Sequence, residues 1–471
     1  MKNSHASFVF PPTFTRRSTS IPTAVAGVPV YLRSRKFLMK SSKRKICQVL
    51  ALVVSGLGAT AAMAADIHGG GSSLVAPTIG AIGNTATEIG LFGTAEGSFT
   101  YYSVGSGAGQ NAFLNNQPTF FGSTVTGTVH FANSDAALST AQLTSYKAGL
   151  GATNGPLIQI PYIVTPITVP VVNGPAVTST TTPQTTPGQA HSIALNDNDL
   201  CGIFSGKLTD WNQVINPQTG SAYTTTSSPI KVVYRSDGSG TTELLTRHLA
   251  AVCSSANTAT GVTFVDSLTF TASFPGGVPA NFTPASGSGG VRSQLVSYQS
   301  AGTAAVAYLS PDYTNTFLAP QSTVVTPASA FQIPVASLVN ATNGVYYAPT
   351  YANATTALST ATVPSSQARA ANQANWVPNV GNPGSGYPVS GTSQIILSQC
   401  YADSSVKTAV HDFLNAHFTN ASFASIVHGN GFDTVSSNFQ NAISADFLSN
   451  TSGYNLDIGN TGVCTGSVTG R

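Results

Sequence analysis

The sequence predicts an α/β protein whose mixed or parallel sheets are flanked by helices. From Asp66 onward, apolar runs rich in Val, Ile, Tyr and Phe alternate with shorter helical patterns, which is typical of strand–helix units. The length of 471 residues allows two or three domains, and two fit best. Because 41% of the residues are hydrophobic and only 7% are charged, the chain can bury a sizeable core and is too apolar for a disordered protein.

Two segments predict particular elements of this fold. Residues 157–172 form a nearly continuous apolar run interrupted by prolines. Such a run suits a buried strand that leaves one lobe and crosses to another, with prolines fixing the bends. Between Val406 and Leu414, apolar side chains recur at i, i+3, i+4, i+7 and i+8, which predicts an amphipathic helix that packs on the core.

Positive charge is concentrated at the start of the chain. Ten of the nineteen Lys and Arg residues lie within residues 1–65, and all sixteen Asp and Glu residues follow them. The remaining chain therefore carries a formal net charge of −7, despite +3 for the whole sequence. This distribution argues against nucleic acid as a partner, because binding to a phosphate backbone needs clustered Lys and Arg.

The basic start continues into the pattern of a secretory signal peptide. Basic residues between Lys40 and Lys45 precede an apolar run at 49–62, and small residues stand at Ala62, Ala64 and Ala65. The apolar run is too short for a membrane span, which needs about 20 residues. We therefore expect a cleaved signal, a mature chain beginning near Asp66 without a membrane span, and a periplasmic or secreted location.

Four cysteines follow the signal region, at Cys201, Cys253, Cys400 and Cys464. An even number of cysteines in an oxidising compartment predicts two disulfides. Of the three possible pairings we favour sequence neighbours, Cys201 with Cys253 and Cys400 with Cys464, because each bond then staples one region. A zinc site is the alternative, but the sequence has no CxxC spacing and we expect no bound metal.

Four short stretches place small residues and hydroxyls where backbone N–H groups could point at an anion; they are residues 69–74, 104–109, 129–135 and 230–243. In the first, a helix is expected to begin near Ser73. The second lacks both the spacing of a dinucleotide fingerprint and the Lys of a Walker loop. The third ends in Asp135, for which a role as a helix cap is the alternative.

The fourth stretch carries the most specific chemistry. A predicted strand delivers Arg235 to a turn, and a helix follows whose N-terminus includes Ser239, Gly240 and Thr241. N–H and hydroxyl donors there would lie beside a guanidinium that can grip a tetrahedral anion through two hydrogen bonds. Asp237 can orient Arg235, although a purely structural Arg–Asp pair is the alternative.

Together these stretches resemble the phosphate-binding periplasmic proteins of ABC transporters, and more closely their relatives, the DING proteins. The DING name describes a mature N-terminus that reads Asp-Ile-Asn-Gly, and residues 66–71 read DIHGGG with His68 in place of Asn. Further matches are GSGAG at 105–109 with NAFLNN at 111–116, LCGIFSGKLTDWN at 200–212 and YRSDGSGTTELLTRHL at 234–249. The resemblance runs from Asp66 to beyond Val306, and weakly to Phe432.

The resemblance implies a two-lobed periplasmic-binding-protein fold of type II, the Venus flytrap, in which two strands form the hinge and dehydrated phosphate lies between the lobes. Residues 66–162 with 390–471 would form lobe 1 and residues 163–389 lobe 2, after an extension and signal at 1–65 whose functional signal is 39–65. The implied phosphate ligands are Ser73, Leu74, Ser106, Asp135, Arg235, Ser239, Gly240 and Thr241.

The implied function is high-affinity binding of inorganic phosphate for uptake or scavenging, by a monomer without a cofactor and with an ABC-transporter permease as partner. An ionised Asp135 only accepts hydrogen bonds, so it would favour hydrogen phosphate over sulfate. One alternative is a DING-type phosphatase that hydrolyses phosphomonoesters, with Thr241 or Ser106 as nucleophile, although no neighbouring base is evident. Another is an adhesive matrix protein, suggested by the charge-poor, Ser/Thr-rich composition.

Overall fold

The computed structural model describes residues 65–471, which form two mixed sheets flanked by helices and confirm the predicted α/β fold. The predicted extension and signal peptide lie outside the described residues. The strands are β1 Ala65–Gly71, β2 Gly97–Ser103, β3 Val129–Ser134, β4 Leu157–Pro166, β5 Val169–Val172, β6 Ala194–Leu195, β7 Lys231–Arg235, β8 Phe282–Ala285, β9 Ala305–Ala307, β10 Val335–Val339, β11 Tyr346–Tyr347, β12 Ser390–Ser398 and β13 Asp433–Thr434.

Thirteen α-helices accompany these strands in the described part of the chain. They are α1 Ala76–Ile79, α2 Glu88–Phe92, α3 Ser106–Asn115, α4 Thr140–Ala148, α5 Gly151–Asn154, α6 Asp197–Ser205, α7 Gly240–Val252, α8 Gly287–Ser300, α9 Tyr351–Ala357, α10 Gln367–Ala370, α11 Ser404–Thr419, α12 Ala421–Gly429 and α13 Ser437–Ile443. Short 3₁₀ turns lie at 118–120, 211–213, 270–273, 311–313 and 373–376, and a π turn at 444–448. Within residues 65–471, no helix combines the length and apolar character that crossing a bilayer requires.

Each sheet organises one lobe. The sheet of lobe 1 has the order β13-β4-β12-β3-β1-β2, in which β1 runs parallel to β2 and β3, while β12 is antiparallel to β3 and β4. The sheet of lobe 2 has the order β11-β10-β5-β9-β7-β8, with β6 beside β10. Here β7 is parallel to β8 and β9, whereas β5 is antiparallel to its neighbours.

The chain passes between the sheets along two neighbouring segments. Residues 157–172 are buried throughout and run from β4 in one sheet to β5 in the other, as the proline-interrupted run predicted. The return path enters β12 at Ser390, and the N–H of Ile167 donates to the carbonyl of Val389 at 2.8 Å. The two crossings are therefore hydrogen-bonded to each other. The lobe limits at 162/163 and 389/390 stay a prediction.

The predicted amphipathic helix is α11, and its five apolar positions between Val406 and Leu414 are all buried. Its Phe413 ring stacks on Phe99 of β2 with 4.8 Å between centroids, which fixes the helix on the sheet of lobe 1. Full burial of the larger of these side chains, Val, Leu and Phe, contributes about 1.5 to 3 kcal/mol each. The carboxylate of Asp403 caps the helix by accepting the N–H of Ser405 at 2.7 Å.

Two disulfides reinforce this fold, Cys201–Cys253 in lobe 2 and Cys400–Cys464 in lobe 1. They close segments of 52 and 64 residues, and this is the predicted pairing. In the chain-entropy model, loops of this size stabilise the folded state by roughly 4 kcal/mol.

A fully buried polar triad joins three elements of lobe 1. The Tyr162 hydroxyl donates to Glu88 Oε2 at 2.6 Å, and His417 Nδ1 lies 2.6 Å from Glu88 Oε1. His417 Nε2 donates to the carbonyl of Tyr162 at 2.8 Å, and the two rings stack at 3.6 Å. Each oxygen of the Glu88 carboxyl group thus has a partner in the apolar interior.

We expect Glu88→Ala to lower the free energy of unfolding by about 3 to 5 kcal/mol, because it leaves His417 and Tyr162 buried without their partner. Urea unfolding measures this. The exposed Glu96→Ala is the control and should change stability by less than about 0.5 kcal/mol. A Glu88→Ala loss as small as that of the control would contradict a structural role for the triad.

Candidate functional site

The predicted site residues converge where the two lobes meet. Ser73, Ser106 and Asp135 follow strands of lobe 1, whereas Arg235 and residues 239–241 belong to lobe 2. All are buried, with none of the named side chains more than 4% exposed. The lobes also touch through their backbones, because the N–H of Gly107 donates to the carbonyl of Gly238 at 3.0 Å.

The loop after β1 brings two serines into this cleft. Gly71 has a φ of 131°, and a Cβ there would lie 2.2 Å from the Asn133 carbonyl oxygen, so only glycine fits the turn. Ser72 Oγ accepts from the N–H of Leu74 at 3.1 Å. The expectation of a helix beginning near Ser73 is wrong, since α1 begins at Ala76 and has only one turn. Pro77 at its start and Gly80 at its end limit it to that length.

Asp135 lies directly after β3 and does not cap a helix. Its Oδ1 accepts from Ser72 Oγ at 2.6 Å, and its Oδ2 has a longer contact with Ser106 Oγ at 3.5 Å. Its own N–H donates to Ser106 Oγ at 3.2 Å. Burial raises the pKa of the Asp135 carboxyl group, while the Ser72 hydrogen bond and the charge of Arg235 oppose that rise.

Asp237 holds the Arg235 guanidinium in place. Arg235 Nε donates to Asp237 Oδ1 at 2.7 Å, and Nη2 is paired with Oδ2. The N–H of Gly287 also donates to Oδ1 at 2.9 Å. Burial of Asp237 opposes ionisation, but the hydrogen bonds and charge of Arg235 prevail and lower its pKa. The Nε edge of the guanidinium is thus occupied, and the edge formed by Nη1 and the second hydrogen of Nη2 can still bind an anion with two hydrogen bonds.

The N-terminus of α7 supplies the other donors of lobe 2. Ser239 caps the helix, because its Oγ accepts from the N–H of Thr242 at 3.2 Å, and its own N–H donates to the Leu268 carbonyl at 2.9 Å. Ser239 can therefore offer an anion only its hydroxyl proton. The N–H groups of Gly240 and Thr241 belong to the first turn, where no intrahelical acceptor exists. Thr241 Oγ1 is buried and makes no hydrogen bond within residues 65–471.

Gly240 is required by the close approach of the lobes. A Cβ at this position would lie 2.5 Å from Asp135 Cβ and 2.7 Å from Ser106 Oγ. Any larger residue would push the N-terminus of α7 away from lobe 1. The glycine therefore allows the Arg235 and Asp135 sides of the cleft to face each other directly.

The sequence missed three contributors to this site. Ser72 was within a selected stretch, but the predicted ligands were its neighbours Ser73 and Leu74. Ser288 follows β8 in an SGSGG run at 286–290 that opens α8, which is the same small-residue pattern as in the other stretches. Tyr308, whose hydroxyl accepts the N–H of Arg235 at 2.9 Å, had no sequence signal. The structure also brings a carboxyl group near Ser106, for which the sequence showed no neighbouring base, because Asp135 Oδ2 lies 3.5 Å from Ser106 Oγ.

Comparison with known proteins places this architecture in a class. A model of the PBP superfamily domain matches residues 58–416. The chain is 35% identical over 418 residues to "Alkaline phosphatase L" of Pseudomonas aeruginosa PAO1, covering 88% of this chain and 97% of the relative. It is 34% identical over 378 residues to a "Phosphate-binding protein" of an unknown prokaryotic organism, covering 78% of this chain and 92% of the relative.

A solved structure is similar over the same length. It is described as a high affinity periplasmic phosphate-binding protein, PfluDING, bound with phosphate at pH 8.5. The two chains are 34% identical and superpose with a TM-score of 0.68, and the match covers 86% of this chain and 99% of the other. These matches define a two-lobed protein of the PBP superfamily. Within that superfamily, the chain belongs to the DING family of periplasmic phosphate-binding proteins, which confirms the resemblance. This relationship also supports an exported protein.

The carboxyl groups of Asp135, which is buried, and Asp237, which is partly exposed, should give the stability of the ligand-free protein opposite pH dependences. The raised pKa of Asp135 means that its contribution is fully present below the unfolded-state pKa and is lost as pH rises through the folded-state value. We expect Asp135→Asn to gain stability relative to wild type between pH 4 and pH 8. Urea unfolding at both pH values measures this.

Asp237→Asn is the matched control with the reverse sign. The lowered pKa of Asp237 contributes stability above its unfolded-state pKa that is lost as pH falls through the folded-state value. This variant should therefore lose stability relative to wild type as pH rises from 3 to 6. Parallel pH profiles for wild type and Asp135→Asn would show that Asp135 is not held in an unfavourable environment.

Proposed function

We propose that the protein is an exported, high-affinity binder of inorganic phosphate that holds dehydrated hydrogen phosphate between its lobes. The observation that carries this proposal is that one buried cleft holds the Asp135 carboxyl group, the Arg235 guanidinium and the first turn of α7. Relatives described as phosphate-binding proteins support it. We assign Ser73, Leu74, Ser106, Ser239, Gly240 and Thr241 as the remaining ligands.

Local donors, more than net charge, favour the anion in this cleft. Asp237 compensates the positive charge of Arg235, and Asp135 adds a further carboxyl group. Attraction must therefore come from oriented donors, which are the free guanidinium edge, the serine hydroxyls and the N-termini of α3 and α7. Charge-assisted hydrogen bonds of this kind contribute about 1.5 to 3 kcal/mol each. Several of them together support tight binding by a chain whose body is acidic.

Asp135 supplies the specificity. When ionised it only accepts hydrogen bonds, and hydrogen phosphate brings a proton that sulfate lacks near neutral pH. Sulfate would face the carboxylate with oxygen against oxygen in a site without bulk water. Sites built around a specific hydrogen bond can reject an analogue that cannot form it by roughly 10⁴ to 10⁵.

The biological setting follows from the same proposal. The mature chain begins near Asp66 after signal cleavage and acts in the periplasm or outside the cell. Phosphate taken up by the cleft is delivered to an ABC-transporter permease or retained by scavenging. The protein acts as a monomer, with lobe limits near residues 162/163 and 389/390.

Hydrolysis of phosphomonoesters is a second candidate function, favoured by the name of the Pseudomonas relative and by the contact of Ser106 with Asp135. The closed cleft disfavours it, because Ser106 and Thr241 are each 1% exposed and an ester would need space for its organic group. Release of p-nitrophenol from p-nitrophenyl phosphate, lost in Ser106→Ala, would support the enzyme.

We expect calorimetric titration of phosphate-stripped protein to give tight one-to-one phosphate binding that excess sulfate does not disturb.

Arg235→Ala should weaken phosphate binding by at least about 100-fold, because two charge-assisted hydrogen bonds are lost. Asp135→Asn should lower the preference for phosphate over sulfate by at least about 100-fold, since an amide can also donate to sulfate.

Arg369→Ala at an exposed position and Asp210→Asn at a partly exposed one remove the same charges elsewhere and should leave affinity and selectivity unchanged. Unchanged phosphate affinity in Arg235→Ala together with unchanged selectivity in Asp135→Asn would refute the site.

A further inference from the structure

Helix α8 of lobe 2 begins without a cap of its own. Ser286 occupies the N-cap position, yet its exposed side chain makes no capping hydrogen bond. The N–H of Gly287 instead donates to Asp237 Oδ1 at 2.9 Å, and the N–H of Ser288 donates to Ser73 Oγ at 3.1 Å. Ser73 belongs to lobe 1. The capping acceptor for Ser288 is therefore supplied across the cleft.

The two serine hydroxyls also contact each other and the anion-binding arginine. Ser288 Oγ lies 2.9 Å from Ser73 Oγ and 3.4 Å from Arg235 Nη1. Both side chains are buried, Ser288 completely and Ser73 to all but 4%. Neither hydroxyl can exchange these partners for water while the lobes are closed.

Chemistry fixes the direction of two of these hydrogen bonds. Arginine and backbone N–H groups only donate, so Ser288 Oγ accepts from Arg235 and Ser73 Oγ accepts from the Ser288 N–H. Between the two hydroxyl groups either oxygen can donate, and the latch proposed below takes Ser288 as the donor. A hydroxyl has two acceptor positions and one proton, so in this arrangement Ser73 has both acceptor positions filled and its proton left to donate.

We propose that Ser73 and Ser288 form an inter-lobe latch, which caps α8 from the opposite lobe and directs the Ser73 proton toward the bound anion. This proposal rests on the proposed function and deepens it, because it gives Ser288 a positioning role and Ser73 a second role beside that of ligand. The latch forms only when the lobes close, since its members lie in different lobes. It therefore couples closure to the orientation of a donor in the site.

The latch makes a specific kinetic prediction. A capping contact that exists only in the closed state should slow phosphate release and leave the encounter with the open protein unchanged. Loss of a serine cap corresponds to a change of about 3- to 30-fold in an equilibrium constant. Selectivity against sulfate should not change in Ser288→Ala, because Asp135 governs it.

The test compares Ser73→Ala, Ser288→Ala and the double variant by stopped-flow measurement of phosphate release. We expect Ser288→Ala to speed release by about 3- to 10-fold with the association rate unchanged, and Ser73→Ala to speed it by more than 10-fold. The double variant should match Ser73→Ala, because Ser288 acts through Ser73. Ser286→Ala and Ser293→Ala, exposed serines at the start of α8 and within it, should behave as wild type.

Multiplicative effects of the two substitutions, an unchanged release rate in Ser288→Ala, or faster release in Ser286→Ala would each overturn the latch. If the wild-type protein fails to bind phosphate, that result refutes the proposed function alone. The latch can then still be tested by fluorescence energy transfer between labels on the two lobes. In that case Ser73→Ala and Ser288→Ala should still shift the ligand-free protein toward the open form. An unchanged distribution of distances would then refute the latch.

Discussion

The site depends on the burial of one carboxyl group, Asp135, at the surface where two lobes meet. Burial makes its ionised form unfavourable, so the cleft must surround it with donors. Ser72 supplies one at 2.6 Å from the same lobe, and Arg235 acts on it from the other lobe. A proton on the bound anion would supply the remaining partner. Affinity, selectivity and closure are thus connected through one acceptor.

The fold meets this demand because strands end and helices or turns begin at the cleft, which places backbone donors there. Strands β1, β3 and β7 end at the cleft, and the next helix or turn starts there, so backbone N–H groups without intrahelical acceptors face the inter-lobe surface. Gly240 lets α7 approach Asp135. The two crossings, from β4 to β5 and into β12, connect the lobes and are hydrogen-bonded to each other. The same arrangement explains why an opposite-lobe serine can cap α8.

Much of this could be predicted from local sequence. Proline-interrupted apolar residues at 157–172 identified the crossing, and i, i+3, i+4 spacing identified α11, because both patterns follow directly from backbone geometry. The Arg235 stretch was found because its strand, turn and helix cap are contiguous. The Ser73–Ser288 contact, which also caps α8, could not be predicted in this way. Ser73 and Ser288 lie 215 residues apart in the sequence and meet only in the folded chain. The helix expected at Ser73 failed because the Gly71 turn and Pro77 postpone its start.

The most direct test of this account is a crystal structure of the mature protein with phosphate. We expect one tetrahedral anion between the lobes, with one oxygen within hydrogen-bonding distance of Asp135. The other oxygens should be bound by the free edge of Arg235, by the N–H groups of Gly240 and Thr241, and by the hydroxyl of Ser73. Phosphate bound elsewhere, or bound in the cleft with Asp135 turned away from it, would contradict the account.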